Sequence, residues 1–276
     1  MSPARPAASA TRALAWLYAP GNQRPLLAAL CAIEDEIGAS LRSGLDHQVA
    51  HLRLEWWRAE CARSAVGRPA HPLTRALVDC FAGRDPAPLA GLVGLVDAAI
   101  WDLAAATFET RRELAGYCER WADAIAVPLG QFAAPEVDAA RLRALGAALR
   151  EAELLGRVAT DARAARLRLP LDQLAAAGVE PASVATPPFP PALTALLHER
   201  HALLRAELAA ALAQLPPAVQ PALRPLIVWA ALASAASRRA ERRLPQTLRG
   251  GDDQGLLDGW RAWRAARQAS KGCFEP

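Results

Sequence analysis

Apolar residues recur every three to four positions along most of this chain, the spacing that gives a helix one buried face. Leu26, Leu27, Leu30, Ile33 and Ile37 follow it behind Pro25, a residue suited to a first helical turn. A second stripe runs from about Asp46 through Val49, Leu52, Leu54, Trp56 and Trp57 to Val66. Gly67–Arg68–Pro69 stops it, and His71–Pro72 starts another. Pro86 to Thr107 alternates proline breaks with apolar faces, and from Thr110 a helix carries Leu114, Tyr117, Cys118, Trp121 and Ile125. Ala139 to Arg168 reads as one long helix or two abutting ones, and Leu169–Pro170 and Gly178–Val179–Glu180–Pro181 then mark turns. Ala192 to Leu215 and Pro216 to Arg243 each suit a long helix, Gly250–Gly251–Asp252–Asp253 a loop. Trp260, Trp263 and their arginines close the chain. The pattern predicts an all-α protein of about eight to ten helices without a fixed repeat.

Composition agrees. Of 276 residues 53% are hydrophobic but only 5% aromatic, a share dominated by the helix formers alanine and leucine. This excludes disorder and a β-rich fold. The length suits a single all-α domain, and Thr186–Pro191 reads as a linker or, preferred here, as a rigid loop inside that domain. The net charge of +4 is carried almost wholly by arginine, Lys271 being the single lysine, and its even spread makes nucleic acid an unexpected partner. Five cysteines (Cys31, Cys61, Cys80, Cys118 and Cys273) form no CxxC pair, which fits a reducing, cytoplasmic setting rather than a disulfide framework or a zinc knuckle.

The stretch from Ala13 to Ala19 is too short for a secretory signal. Pro225 to Ala236 comes nearest to a membrane span, but Ser237–Arg238–Arg239 closes it early. It reads as a buried helix with a basic C-terminal end, with a membrane-surface contact as the lesser reading.

Motifs of common catalytic chemistry are missing: there is no P-loop, GxGxxG or GxSxG. His47 and His51 share a helix face beside Asp46, but no third metal ligand stands near in sequence. His198 and His201 lack the HExxH spacing and read as surface residues. Glu34, Asp35 and Glu36 point about 100° apart on a helix, so they cannot all face one cavity and read as a solvated edge.

Four blocks say more when taken in order. They are Arg53–Leu54–Glu55–Trp56–Trp57–Arg58, Gly67–Arg68–Pro69–Ala70–His71–Pro72–Leu73, Glu113–Leu114–Ala115–Gly116–Tyr117–Cys118, and Arg166–Leu167–Arg168–Leu169–Pro170 leading to Gly178–Val179. In content and order they resemble the squalene/phytoene synthase family. The resemblance divides the chain into a flexible N-terminus at 1–12, a family-like helical domain at 13–245 and a C-terminal extension at 246–276 with a Trp/Arg-rich helix. It implies an isoprenoid-synthase-type bundle around a central cavity, where two facing aspartate-rich motifs hold Mg²⁺ against prenyl diphosphates. The chemistry needs such a clamp, because ionisation of an allylic diphosphate requires its charge to be neutralised.

The chain departs from that pattern. With Glu36 matched to the acidic position before the first motif, the motif falls on Gly38, Ala39, Ser40, Leu41 and Arg42. The second falls on Arg157 and Asp161, leaving one carboxylate, while Tyr117 matches the family tyrosine beside the cavity. The resemblance therefore implies a degenerate branch, similar to the members that act as a mitochondrial assembly factor for complex I. The expected function is non-catalytic, binding an isoprenoid or prenyl diphosphate or acting as an assembly scaffold. Such a protein is cytoplasmic, with peripheral contact at the inner membrane. The alternative is an active Mg²⁺-dependent prenyl diphosphate synthase of the phytoene or squalene type. Candidate ligand-binding residues are Arg42, Tyr117, Arg157 and Asp161. Tyr117 and Asp161 are the catalytic candidates, no metal ligand is assigned, and Mg²⁺ enters as a cofactor only under the alternative.

Overall fold

A computed structural model of the chain describes residues 10–42, 44–186, 188–244 and 255–276. Twelve α-helices and no strand occur among these residues: α1 (Ala10–Trp16), α2 (Arg24–Gly38), α3 (His47–Ala65), α4 (Pro72–Cys80), α5 (Val93–Leu103), α6 (Arg111–Ala133), α7 (Ala139–Gly156), α8 (Val158–Arg163), α9 (Leu171–Ala176), α10 (Pro191–Ala213), α11 (Arg224–Arg242) and α12 (Asp258–Ser270). The count exceeds the expected one because α1, α8 and α9 are short, separate helices. The Gly250–Asp253 loop lies outside the described residues.

Local chemistry sets the helix starts. The Asp46 carboxylate accepts from the backbone N–H groups of Gln48 and Val49 and begins α3. Thr110 caps Glu113 while Glu113 reaches back to the N–H of Glu109, a reciprocal pair that opens α6. Pro25 stands in the first turn of α2. The stretch from Ala139 to Arg168 proves to be two helices, broken at Arg157, where φ −115° and ψ 8° leave the helical region. Residues 10–12, expected in a flexible N-terminus, belong to α1, and Arg12 is fully buried.

Helix α6 lies at the centre, against α7 on one side and α5 on another, and α10 and α11 pack on α7. Helix α3 packs on α5 and α2 on α4, while α1 and α12 lie along α11. Trp57, Tyr117, Trp121 and Trp229 are buried, whereas Trp56 is 45% exposed. The apolar run of α11 is buried from Pro225 to Ala230, and among the described residues no helix is long and apolar enough to cross a membrane.

The approach of α5 to α6 depends on a missing side chain. A Cβ at Gly94 would stand 2.3 Å from the Arg120 carbonyl oxygen, so the backbones meet where no other residue fits. Gly94→Ala should lose about 2 kcal/mol or more of stability in urea denaturation, since the helices must part. Gly116→Ala, in the same contact region but with its nearest new neighbour 3.6 Å away, should be neutral or gain up to about 1 kcal/mol.

Candidate active site

Helices α2, α5, α6 and α7 border a solvent-open cavity of about 470 Å³. Gly38, Ala39, Leu41 and Arg42 form one part of its wall, and Tyr117, Trp121, Arg150, Arg157 and Arg166 another. Three of the four expected ligand residues, Arg42, Tyr117 and Arg157, thus meet in one cavity. Asp161 is buried behind the wall, with Oδ1 3.4 Å from the Arg157 guanidinium, the one-turn pairing their spacing allows.

Arg168 was not among the expected site residues. The left-handed backbone of Ala165, at φ 57°, ends α8 and turns the chain back towards the cavity. Arg168 then bridges two acids, 2.8 Å from Asp102 Oδ1 and 3.6 Å from Asp161 Oδ2, and its guanidinium lies over the Tyr117 ring. Burial alone would lower its pKa, but the Asp102 and Asp161 carboxylates beside it raise it, so the charge is permanent. The Tyr117 hydroxyl donates to Asp102 Oδ2 at 3.3 Å, and burial pushes its pKa up, so it stays a protonated donor.

In the acidic run on α2, Asp35 and Glu36 are exposed as expected of a solvated edge, and only Glu34 departs from it. Glu34 and Asp35 line the cavity, whereas Glu36 lines a separate outer recess with Trp56 and His71. Glu34 accepts the indole N–H of Trp121 at 2.9 Å and lies 2.9 Å from the Arg12 guanidinium. Arg12 in turn stands between the Trp121 and Trp229 rings and 3.7 Å from Glu153 of α7. Arg150 donates to Glu153 at 2.9 Å. Burial works against the Arg150 charge, but the carboxylates of Glu153 and Glu34 raise its pKa well above the ordinary value. The cavity wall therefore carries four guanidinium groups, those of Arg42, Arg150, Arg157 and Arg166, against the carboxylates of Glu34, Asp35 and Asp102. Among the described residues, no three His, Cys, Asp or Glu side chains gather as a metal-holding group.

Sequence reasoning missed Asp102, Arg150 and Arg12 because no spacing joins them; the fold alone does so. Arg166 and Arg168 were visible inside the fourth family-like block but carried no role there. His201 is a further correction. It is buried, not on the surface, with Nδ1 3.0 Å from Ser237 Oγ, whereas His198 is exposed beside Glu241.

The profile of the squalene/phytoene synthase family matches residues 5–262. The chain belongs to this family. The match begins before residue 13 and ends within α12, beyond both ends of the 13–245 stretch. No curated protein matches the sequence. Among solved structures, a dehydrosqualene synthase in complex with ligand is similar with a TM-score of 0.72 at 18% identity, covering 94% of this chain and 90% of its own. Squalene synthase HpnC from Alicyclobacillus acidocaldarius is similar with a TM-score of 0.67 at 19% identity, covering 84% of this chain and 88% of its own. At such identities the likeness establishes the isoprenoid-synthase-type helical fold.

Proposed function

We propose that this family member binds an isoprenoid diphosphate in the cavity without metal and does not ionise it. One observation carries the reading: of the carboxylates at the cavity and just behind its wall, Glu34, Asp102 and Asp161 are held by arginine or other side-chain donors, and Asp35 is exposed. Asp102 receives Arg168 and Tyr117, Glu34 receives Trp121 beside Arg12, and Asp161 lies between Arg157 and Arg168. Magnesium needs carboxylates open to it, together with water and phosphate oxygens. This donor set does not fit it. Guanidinium groups, by contrast, match phosphate oxygens in a bidentate fork and need no metal to do so.

Arg157 is the best-placed probe, since it lines the cavity at the second motif position and is partly exposed. The apolar wall of Ile37, Leu41, Leu95 and Ala98 suits a prenyl chain. Without turnover, such a protein would hold an isoprenoid ligand or act as an assembly scaffold, the role that the sequence resemblance to complex I assembly factor members implies. A cytoplasmic place with peripheral membrane contact belongs to the same reading.

Calorimetry with farnesyl diphosphate tests it. The affinity should survive EDTA unchanged and fall about ten-fold or more in Arg157→Gln, through loss of a charge-assisted phosphate contact. Binding that vanishes in EDTA would refute the metal-free site. It would favour the active alternative, for which Glu34, Asp35 and Asp102 are the carboxylates at hand.

A further inference from the structure

We propose that the outward face of α12 docks this protein on an anionic bilayer surface. The helix divides cleanly into two faces. Ala262, Ala265, Ala266 and Ala269 are buried and follow i, i+3, i+4, i+7, which lets α12 lie close along α11. Trp260, Trp263, Arg264 and Arg267 follow the same spacing on the outward side. A helix that met only water would put small or charged residues there, yet Trp260 is 54% and Trp263 48% exposed.

The arginines do not shield these rings from a partner; they share their faces. The Arg264 guanidinium lies 5.5 Å from the Trp260 ring centroid, and that of Arg267 lies 5.3 Å from Trp263. Each pair offers an indole, at home at the level of lipid headgroups, beside a cation that can reach phosphate.

The surroundings extend the pattern. Leu17, 70% exposed, borders a shallow recess shared with Trp263, Arg267, Arg24 and Arg224, and no acid lines it. On the other flank Arg238 and Arg261 join Arg264 and Trp260, with Glu275 as the acid of that groove. The acid of α12 itself, Asp258, is turned inward and held by Arg239 and Arg261. Lys271 is exposed at the end of the helix.

Apolar rings set among cations, with the helix's own acid withdrawn, complement a surface that is both negative and penetrable. An anionic bilayer is such a surface. The proposal deepens the peripheral membrane contact proposed above by giving it a surface, and it does not depend on whether the cavity turns over substrate.

Co-sedimentation of the full chain with vesicles decides it. The protein should bind vesicles of phosphatidylglycerol and phosphatidylcholine, bind far less to phosphatidylcholine alone, and dissociate as salt is raised. Arg264→Gln/Arg267→Gln should weaken partitioning about 25-fold, at about five-fold per cation near the surface. Trp260→Ser/Trp263→Ser should weaken it about ten-fold or more through lost apolar burial. Both variants change exposed side chains, so their thermal unfolding should match the parent protein. Equal binding to neutral and anionic vesicles, or parent-like binding by both variants, would overturn the proposal. So would self-association lost in the tryptophan variant while vesicles go unbound, since the face would then belong to a second copy.

Discussion

Farnesyl or geranylgeranyl diphosphate incubated with this protein and Mg²⁺ is expected to release no diphosphate above background. Ionisation asks for two metal-loaded carboxylate faces opposed across the substrate. At the first motif position the wall is Gly38, Ala39, Leu41 and Arg42, and at the second Arg157 stands one turn before Asp161, which is itself paired and buried. A guanidinium at a metal position also repels the ion, by several kcal/mol as an order of magnitude in a partly dry cavity. Metal occupancy therefore suffers twice, from the lost ligand and the gained cation. The measurement is diphosphate release with the parent protein, Asp35→Asn and Asp161→Ala. Robust Mg²⁺-dependent release that disappears in Asp35→Asn would mean that α2 uses carboxylates one turn upstream of the matched register. Release that disappears in Asp161→Ala would restore the second motif. Retained affinity in EDTA together with absent release would leave the binding reading intact.

Acid should unfold the protein in two successive windows, and Glu60 governs the lower one. Its fully buried carboxylate accepts from the backbone N–H groups of Ala70 and His71, both at 2.8 Å, and from Thr74 and Arg63. It ties α3 to the start of α4 across the Gly67 turn. Burial alone would raise its pKa, but the bonds from His71, Thr74, Arg63 and Ala70 outweigh it and hold the carboxylate at about 2. The folded pKa lies below the unfolded one, so the stabilisation is complete above pH 4.5 and is lost as pH falls towards 2. Its size is up to about 3 kcal/mol.

His201 acts earlier. Burial lowers its pKa from 6.5 to about 4, with Arg205, His198 and Arg200 adding to the effect against Glu241. The unfolded chain takes up this proton first, so stability falls between pH 6.5 and 4, again by up to about 3 kcal/mol. Urea denaturation at pH 7, 5.5, 4 and 3 should follow both losses. Glu60→Gln should lose about 3–5 kcal/mol at pH 7, because its amide group faces donors that need an anion, and should flatten the lower window. A stability profile that stays flat from pH 7 to 4 would contradict the buried, neutral His201.

Much of the architecture was legible in the chain itself. Periodic stripes such as Leu26 to Ile37, caps such as Asp46 and Thr110, and stops such as Gly67 are local features. A helix is built from contacts three and four residues apart, and these a linear reading can see. Four ordered blocks sufficed for the family. Only the tertiary structure decided the rest. Whether Glu34 or Glu36 meets the cavity depends on how α2 is rotated against α5 and α6, an angle set by side-chain packing. His201 read as a surface residue because its neighbours are polar, yet α11 covers it with Ser237. Arg12, Asp102, Arg150 and Arg168 lie far apart in sequence and meet through packing that no local pattern encodes. A charge changes the chemistry of a cavity according to its distance from its partners, and distance across a core is a property of the folded chain alone.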